Sequence, residues 1–170
     1  WNKPLIWDAA IYQAMGKYLV SGGSYGLWEV FRPPLLPIIA SIQQFLGIPA
    51  QGFSRFFSVL ISTGVLGMTY IFGRELLDEK VALISTGVLG ATAVFVRYSP
   101  EYLTGIPASG LVLASLYMVR KERKLLAGIL GASAFLMRFP AALIGPAVII
   151  YYSMRFLRHR DLVKYVKGSA

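Results

Sequence analysis

Seventeen Lys and Arg residues fall into two groups that apolar stretches of membrane-spanning length keep apart. Hydrocarbon excludes a charged side chain and accepts an aliphatic one, so this pattern describes a chain threaded through a bilayer. Five stretches read as spans: 56–73, 81–96, 102–119, 125–137 and 139–154. The connectors at 74–80 and 120–124 and the tail from Arg155 onward hold Arg74, Lys80, Arg120, Lys121, Arg123, Lys124, Arg155, Arg158, Arg160, Lys164 and Lys167. The other side keeps Lys3, Lys17, Arg32, Arg55, Arg97 and Arg138. Cations clustered in short loops stay cytoplasmic, so the richer side is inside. Three segments follow: an extracytoplasmic loop over 1–55, a five-span bundle over 56–154 and a basic cytoplasmic tail over 155–170. The expected fold class is all-α, a polytopic transmembrane helix bundle with outer interfacial helices.

Composition agrees. A chain that is 56% hydrophobic and carries no Cys is neither a disulfide scaffold nor an ordinary soluble domain. The net charge of +9 points to nucleic acid in a soluble protein, but here the cations flank spans and are explained by topology and anionic headgroups. No nucleic-acid partner is expected. The first residues lack a basic segment followed by an apolar run, so no cleavable signal peptide is read there. A chain that starts at Trp1 and stops in a basic stretch is expected to be a piece of a longer membrane protein.

Asp8 to Val20 predicts a short helix with Asp8 at its N-cap and Ala10, Ile11, Ala14, Met15 and Leu19 along one stripe, stopped by Ser21-Gly22-Gly23. Leu35 to Leu46, opened by Pro33-Pro34 and closed by Gly47, rises roughly 18 Å as a helix, well short of a ~30 Å hydrocarbon core. Both are expected along the outer interface, where Trp1, Trp7, Tyr12, Tyr18, Tyr25 and Trp28 suit headgroup depth. One continuous helix over 125–154 rises about 45 Å, too long for the bilayer, so the chain is expected to turn at Arg138-Phe139-Pro140. The octapeptide LISTGVLG occurs at 60–67 and again at 83–90. Its small residues predict close approach of two antiparallel spans.

Three acids fall on the outer side: Asp8, Glu29 and Glu101. Asp8, between Trp7 and a helix start, is the candidate general base, with N-capping as the structural alternative. Glu101, after Pro100, is the candidate second acid, with capping of the next helix as its alternative. Glu29 is either substrate-binding or simply solvated. Arg32, Arg55, Arg97 and Arg138 stand singly at outer helix ends, where positive charge is not required by topology. Either they snorkel to headgroup phosphates or several converge on one phosphate through charge-assisted hydrogen bonds. His159 in the tail has no partner for nucleophilic or metal chemistry, and GxSxG, Walker, HExxH and CxxC motifs do not occur.

Three segments in order, WDAAIYQAMGKYLVSGGSY, FRPPLLPIIASIQQFLGI and FSRFFSVLISTGVLGMTYIFGRELL, resemble the GT-C membrane glycosyltransferases of the protein O-mannosyltransferase and lipid A aminoarabinose transferase type. RYSPEYLTGIPASGLVLASLYMV and LLAGILGASAFLMRFPAALIGPAVIIYY resemble the corresponding later spans. The resemblance implies transfer of a sugar from a polyprenyl-phosphate donor, with inversion, to a protein, lipid or glycan acceptor on the extracytoplasmic side. It makes Asp8 the general base or acceptor-orienting acid and Arg32 and Arg55 contacts to the donor phosphate; Arg97 and Arg138, read from their outer positions alone, are expected to join them there. Glu101 is then a second active-site acid, and Tyr12 and Glu29 are substrate-binding. Membrane lipids and the donor's prenyl chain would lie against the spans.

Two positions depart from the family pattern. Ala9 and Ala10 follow Asp8 where many relatives carry an acidic pair, which weakens the case for a divalent metal, and none is assigned as cofactor. Gly105 stands where many carry an Asp in the outer turn, with Glu101 about one helical turn earlier. The alternative function is a non-catalytic membrane subunit or lipid-binding scaffold of the same fold.

Overall fold

The computed structural model describes residue 5 and residues 7–168, the side chains of 157–168 excepted. Trp1, Lys3 and the tail side chains Arg158, His159, Arg160, Lys164 and Lys167 lie outside the described residues. Every regular element among the described residues is helical: α1 Trp7–Val20, α2 Leu35–Phe45, α3 Ala50–Leu76, α4 Glu79–Ala91, α5 Ala93–Tyr98, α6 Gly105–Arg120, α7 Lys124–Met137, a 3-10 turn Phe139–Leu143, and α8 Ile144–Gly168.

Local chemistry explains most boundaries. Gly47 ends α2 in a left-handed conformation at φ +69°, which glycine adopts without steric cost. Asp78 caps α4, its carboxylate accepting from the Val81 N–H at 2.8 Å. At Thr92 the backbone turns extended (φ −64°, ψ 131°), splitting the span expected over 81–96 into α4 and the short α5. Arg138 is likewise extended (φ −157°, ψ 117°), and the chain reverses there as expected. The reversal returns α8 to the start of α7, with Arg155 pairing with Glu122.

The two N-terminal helices cover the end of the bundle. A Cβ on Gly16 would fall 2.6 Å from Ala40 Cβ and 2.9 Å from its backbone, so α1 and α2 cross almost in backbone contact. That crossing sets which face of α1 is buried: Ala9, Ile11, Tyr12, Gln13, Met15 and Gly16. The expected stripe is therefore rotated, with Ile11 and Met15 inside but Ala10 and Leu19 exposed. Met15, Leu36 and Ala40 meet Ala108 of α6, Met137 of α7 and Tyr102 in one core. Tyr102, the expected first residue of a span, lies wholly buried in the turn before α6, and its hydroxyl donates to the Leu36 carbonyl at 3.2 Å.

In α3, Ser54, Ser58, Ser62 and Val65 form the buried stripe. Ser54 accepts from Gln13 Nε2 at 2.9 Å, and Ser62 donates to the Ser99 carbonyl at 3.2 Å. A Cβ on Gly110 would fall 2.7 Å from Val65, which lets α3 and α6 approach closely. The two copies of the octapeptide meet where a Cβ on Gly90 would fall 3.6 Å from Leu66. Gly64, Gly67 and Gly87 face open space, and a Cβ on Gly73 would fall 3.3 Å from Ala82, beside the connector.

Among the described residues two helical stretches, Ala50–Leu76 and Phe139–Phe156, the latter running from the 3-10 turn into α8, are long and apolar enough to cross a membrane; only 17% and 0% of their apolar windows are buried. Leu60, Ile84, Val88, Val94 and Ile149 are among the exposed side chains. Surface of this kind is stable against hydrocarbon and costly in water.

Candidate functional site

The charged groups sort to the two ends of the bundle. At one end Glu75 accepts from Lys121 Nζ at 2.9 Å and Arg120 Nε at 3.4 Å, and Arg155 pairs with Glu122. These are the connectors expected to share the basic side. At the far ends of α3, α6 and α7 lies a cavity of about 940 Å³ lined by Asp8, Tyr12, Arg32, Glu101, Thr104, Gly105, Ser109 and Arg138. Its remaining wall is apolar and descends into the bundle: Val65, Leu89, Val94, Phe95, Ile106 and Leu113. The sixteen residues of α6 separate the two ends by about 24 Å.

Asp8 is not an N-cap. Helix α1 begins at Trp7, which places Asp8 in the first turn, and its Oδ1 accepts from Arg32 Nη2 at 2.9 Å. Arg32 Nε donates to Glu29 Oε2, and the guanidinium lies over the Tyr12 ring at 5.2 Å. Both carboxylates thus share one guanidinium. The bond to Glu29 is the largest influence on Arg32; with Tyr12 and Asp8 it outweighs desolvation and raises the guanidinium above its already high ordinary pKa. Arg32 stays charged, and Asp8 faces a fixed positive partner while keeping about half its side chain exposed (53%).

Glu101 does not cap α6, which starts four residues later at Gly105 without a side-chain cap; it lines the cavity instead. Arg138 lies on the same cavity, at the end of α7. Its Nη1 sits 3.2 Å from where a Cβ on Gly105 would be, over the first turn of α6. Among the described residues no carboxylate lies within ion-pair distance of Arg138. Arg55 and Arg97 are not part of the lining: Arg97 is exposed and lies over the Tyr98 ring at 5.8 Å, and Arg55 is half-buried in the first turns of α3.

The structure therefore brings together Asp8, Tyr12, Arg32, Glu101 and Arg138, with Glu29 behind Arg32. Thr104 and Ser109 join them without having been singled out from sequence, since a hydroxyl near a helix start reads as ordinary capping. Among the described residues no group of three or more His, Cys, Asp or Glu is arranged to hold a metal ion. Asp8 and Glu29 are both bridged by Arg32.

No curated protein and no solved structure matches the chain. A family model described as dolichyl-phosphate-mannose-protein mannosyltransferase matches residues 32–167, from Arg32 through α8, leaving Asp8 outside the matched segment. An all-helical, largely unburied apolar bundle with Asp8, Glu101, Arg32 and Arg138 around one cavity is the setting in which that match falls, and the chain belongs to this family of GT-C membrane glycosyltransferases.

Proposed function

We propose that the cavity is the site of inverting sugar transfer from a polyprenyl-phosphate donor to a hydroxyl of an extracytoplasmic protein, lipid or glycan. One juxtaposition carries the reading: Asp8, Glu101 and Arg138, which pairs with no carboxylate among the described residues, line one cavity whose other wall is largely apolar. An isoprenoid phosphate needs such a divided surface, hydrocarbon on one side and fixed cations on the other.

In the proposed step Asp8 accepts the proton of the acceptor hydroxyl as its oxygen attacks the anomeric carbon. The bond from that carbon to the phosphate oxygen breaks on the opposite face, and the electron pair leaves with the lipid phosphate. Arg138 and the N–H groups of Gly105 and Ile106 that open α6 stabilise the charge that develops there. Gly105 keeps this approach free of a side chain. Arg32 acts on Asp8 instead of the phosphate. Clamped by Glu29 and stacked on Tyr12, it holds that carboxylate in one orientation. Glu101, Thr104 and Ser109 supply partners for sugar hydroxyls. Arg55 and Arg97, outside the lining, suit headgroup phosphates. The positive-inside rule puts the Glu75–Lys121 end in the cytoplasm and the cavity outside. No step runs through a metal.

A non-catalytic lipid-binding scaffold draws on one observation, the engagement of Asp8 by Arg32, and predicts donor binding without turnover. Transfer from a panel of polyprenyl-phosphate sugars, by protein reconstituted in lipid nanodiscs, separates the two. Asp8→Asn is expected to lose roughly 10²–10⁴ in turnover while still binding donor. Unchanged turnover in that variant removes Asp8 from the mechanism, and wild-type protein that binds donor but transfers nothing favours the scaffold.

A further inference from the structure

A second cavity, about 440 Å³, opens between α6, α7 and α8 at the basic end of the bundle, and nothing in the transfer reaction uses it. We propose that it is a binding groove for one acyl chain of an anionic membrane phospholipid, whose headgroup phosphate rests on Lys124.

The groove has the length of a single leaflet. It follows α7 from Lys124 to Phe135, about 16 Å at ~1.5 Å per residue, close to half of a ~30 Å hydrocarbon core. Gly128 and Gly145 leave room in it, since a Cβ on either would meet nothing within 4 Å, while the helices close behind at Gly131, where a Cβ would fall 3.3 Å from Ser115 Oγ. Val148 and Ile149 complete an almost wholly apolar wall. Water filling such a slot gains no hydrogen bonds, whereas an acyl chain restores the dispersion contacts its lining lacks.

The chemistry at the mouth selects the headgroup. Arg120 and Lys121 are taken by Glu75, and Arg155 by Glu122. Lys124 meets no carboxylate among the described residues and lies over the Tyr152 ring at 5.6 Å. The Tyr152 hydroxyl, also on the groove, is buried without a hydrogen-bond partner among the described residues. An ammonium and an unsatisfied hydroxyl at the head of a leaflet-deep apolar slot match a phosphate and the ester carbonyl beneath it.

Native mass spectrometry of the delipidated protein, titrated with phosphatidylglycerol or with phosphatidylcholine of the same chains, tests this. One phosphatidylglycerol is expected to be retained per protein in preference to phosphatidylcholine. Lys124→Gln, at an exposed position, is expected to reduce that preference about fivefold. Gly128→Leu, which fills the slot, should abolish retention of either lipid while sugar transfer, carried by the other cavity, continues. Equal retention of both lipids, retention unchanged in Gly128→Leu, or displacement of phosphatidylglycerol by an equimolar polyprenyl phosphate would each overturn the assignment. A further segment of polypeptide occupying the groove would appear as no lipid retained, which also overturns it.

Discussion

Gly105→Asp tests the division of labour among the arginines. The new Cβ would stand 3.2 Å from Arg138 Nη1, a contact the flexible guanidinium relieves by a shift of a few tenths of an ångström. The added carboxylate then lies within ion-pair reach of Arg138. Two unit charges at 4 Å attract by about 4 kcal/mol at an effective dielectric of 20, but Arg138 is exposed, and exposed pairs typically retain about 1 kcal/mol or less. The donor phosphate loses that share of Arg138 and meets a new negative charge, so donor affinity should fall about five- to tenfold. Folding should not suffer: an acid in the first turn of a helix is worth about 0.3–1 kcal/mol, and replacing glycine there removes a backbone-entropy cost. The assay is donor binding and transfer in nanodiscs beside a thermal melt. Donor affinity that is unchanged, or turnover that rises, refutes the idea that Arg138 is the phosphate anchor.

Arg32→Ala should lower turnover far more than donor affinity, because its role is to hold Asp8 rather than to meet phosphate; an equal loss in both would return Arg32 to the donor site, as measured by the kcat against KM split. Arg32→Lys should rescue only partly, since an ammonium lacks the fork that spans Asp8 and Glu29. Gly16→Leu should separate α1 from α2 and cost about 1–3 kcal/mol or more in stability by thermal or denaturant unfolding, since the obstruction is the Ala40 backbone. Tyr102→Phe removes the hydroxyl bonded to the Leu36 carbonyl and should cost about 0.5–1.5 kcal/mol while leaving donor affinity intact.

Hydropathy and charge are properties that each residue carries alone, and what depends on them was legible along the chain. Lys121, Glu122 and Arg155 do meet at one end of the bundle, and Asp8, Glu101, Arg32 and Arg138 do line one cavity at the other. The reversal at Arg138 followed from helix length against bilayer thickness. Resemblance supplied the family, and the match over 32–167 shows it.

Tertiary structure decided everything that depends on who meets whom. Glu29, three residues before Arg32, is a local partner that Arg138 lacks, but the bond from Arg32 to Asp8, 24 residues away, and the placing of Arg138 over Gly105 are not visible in either neighbourhood. The break at Thr92 carries no Pro, and the nearby Gly90 is of a kind common inside membrane helices; Tyr102 reads as the start of a span until Phe53, Phe57 and Leu36 close around it. The face of α1 that is buried follows from Gly16 fitting against Ala40, a partner 24 residues away. Transfer free energies sum residue by residue and can be read in order; ion pairs and close packing depend on distances between residues far apart in sequence, which exist only once the helices are assembled.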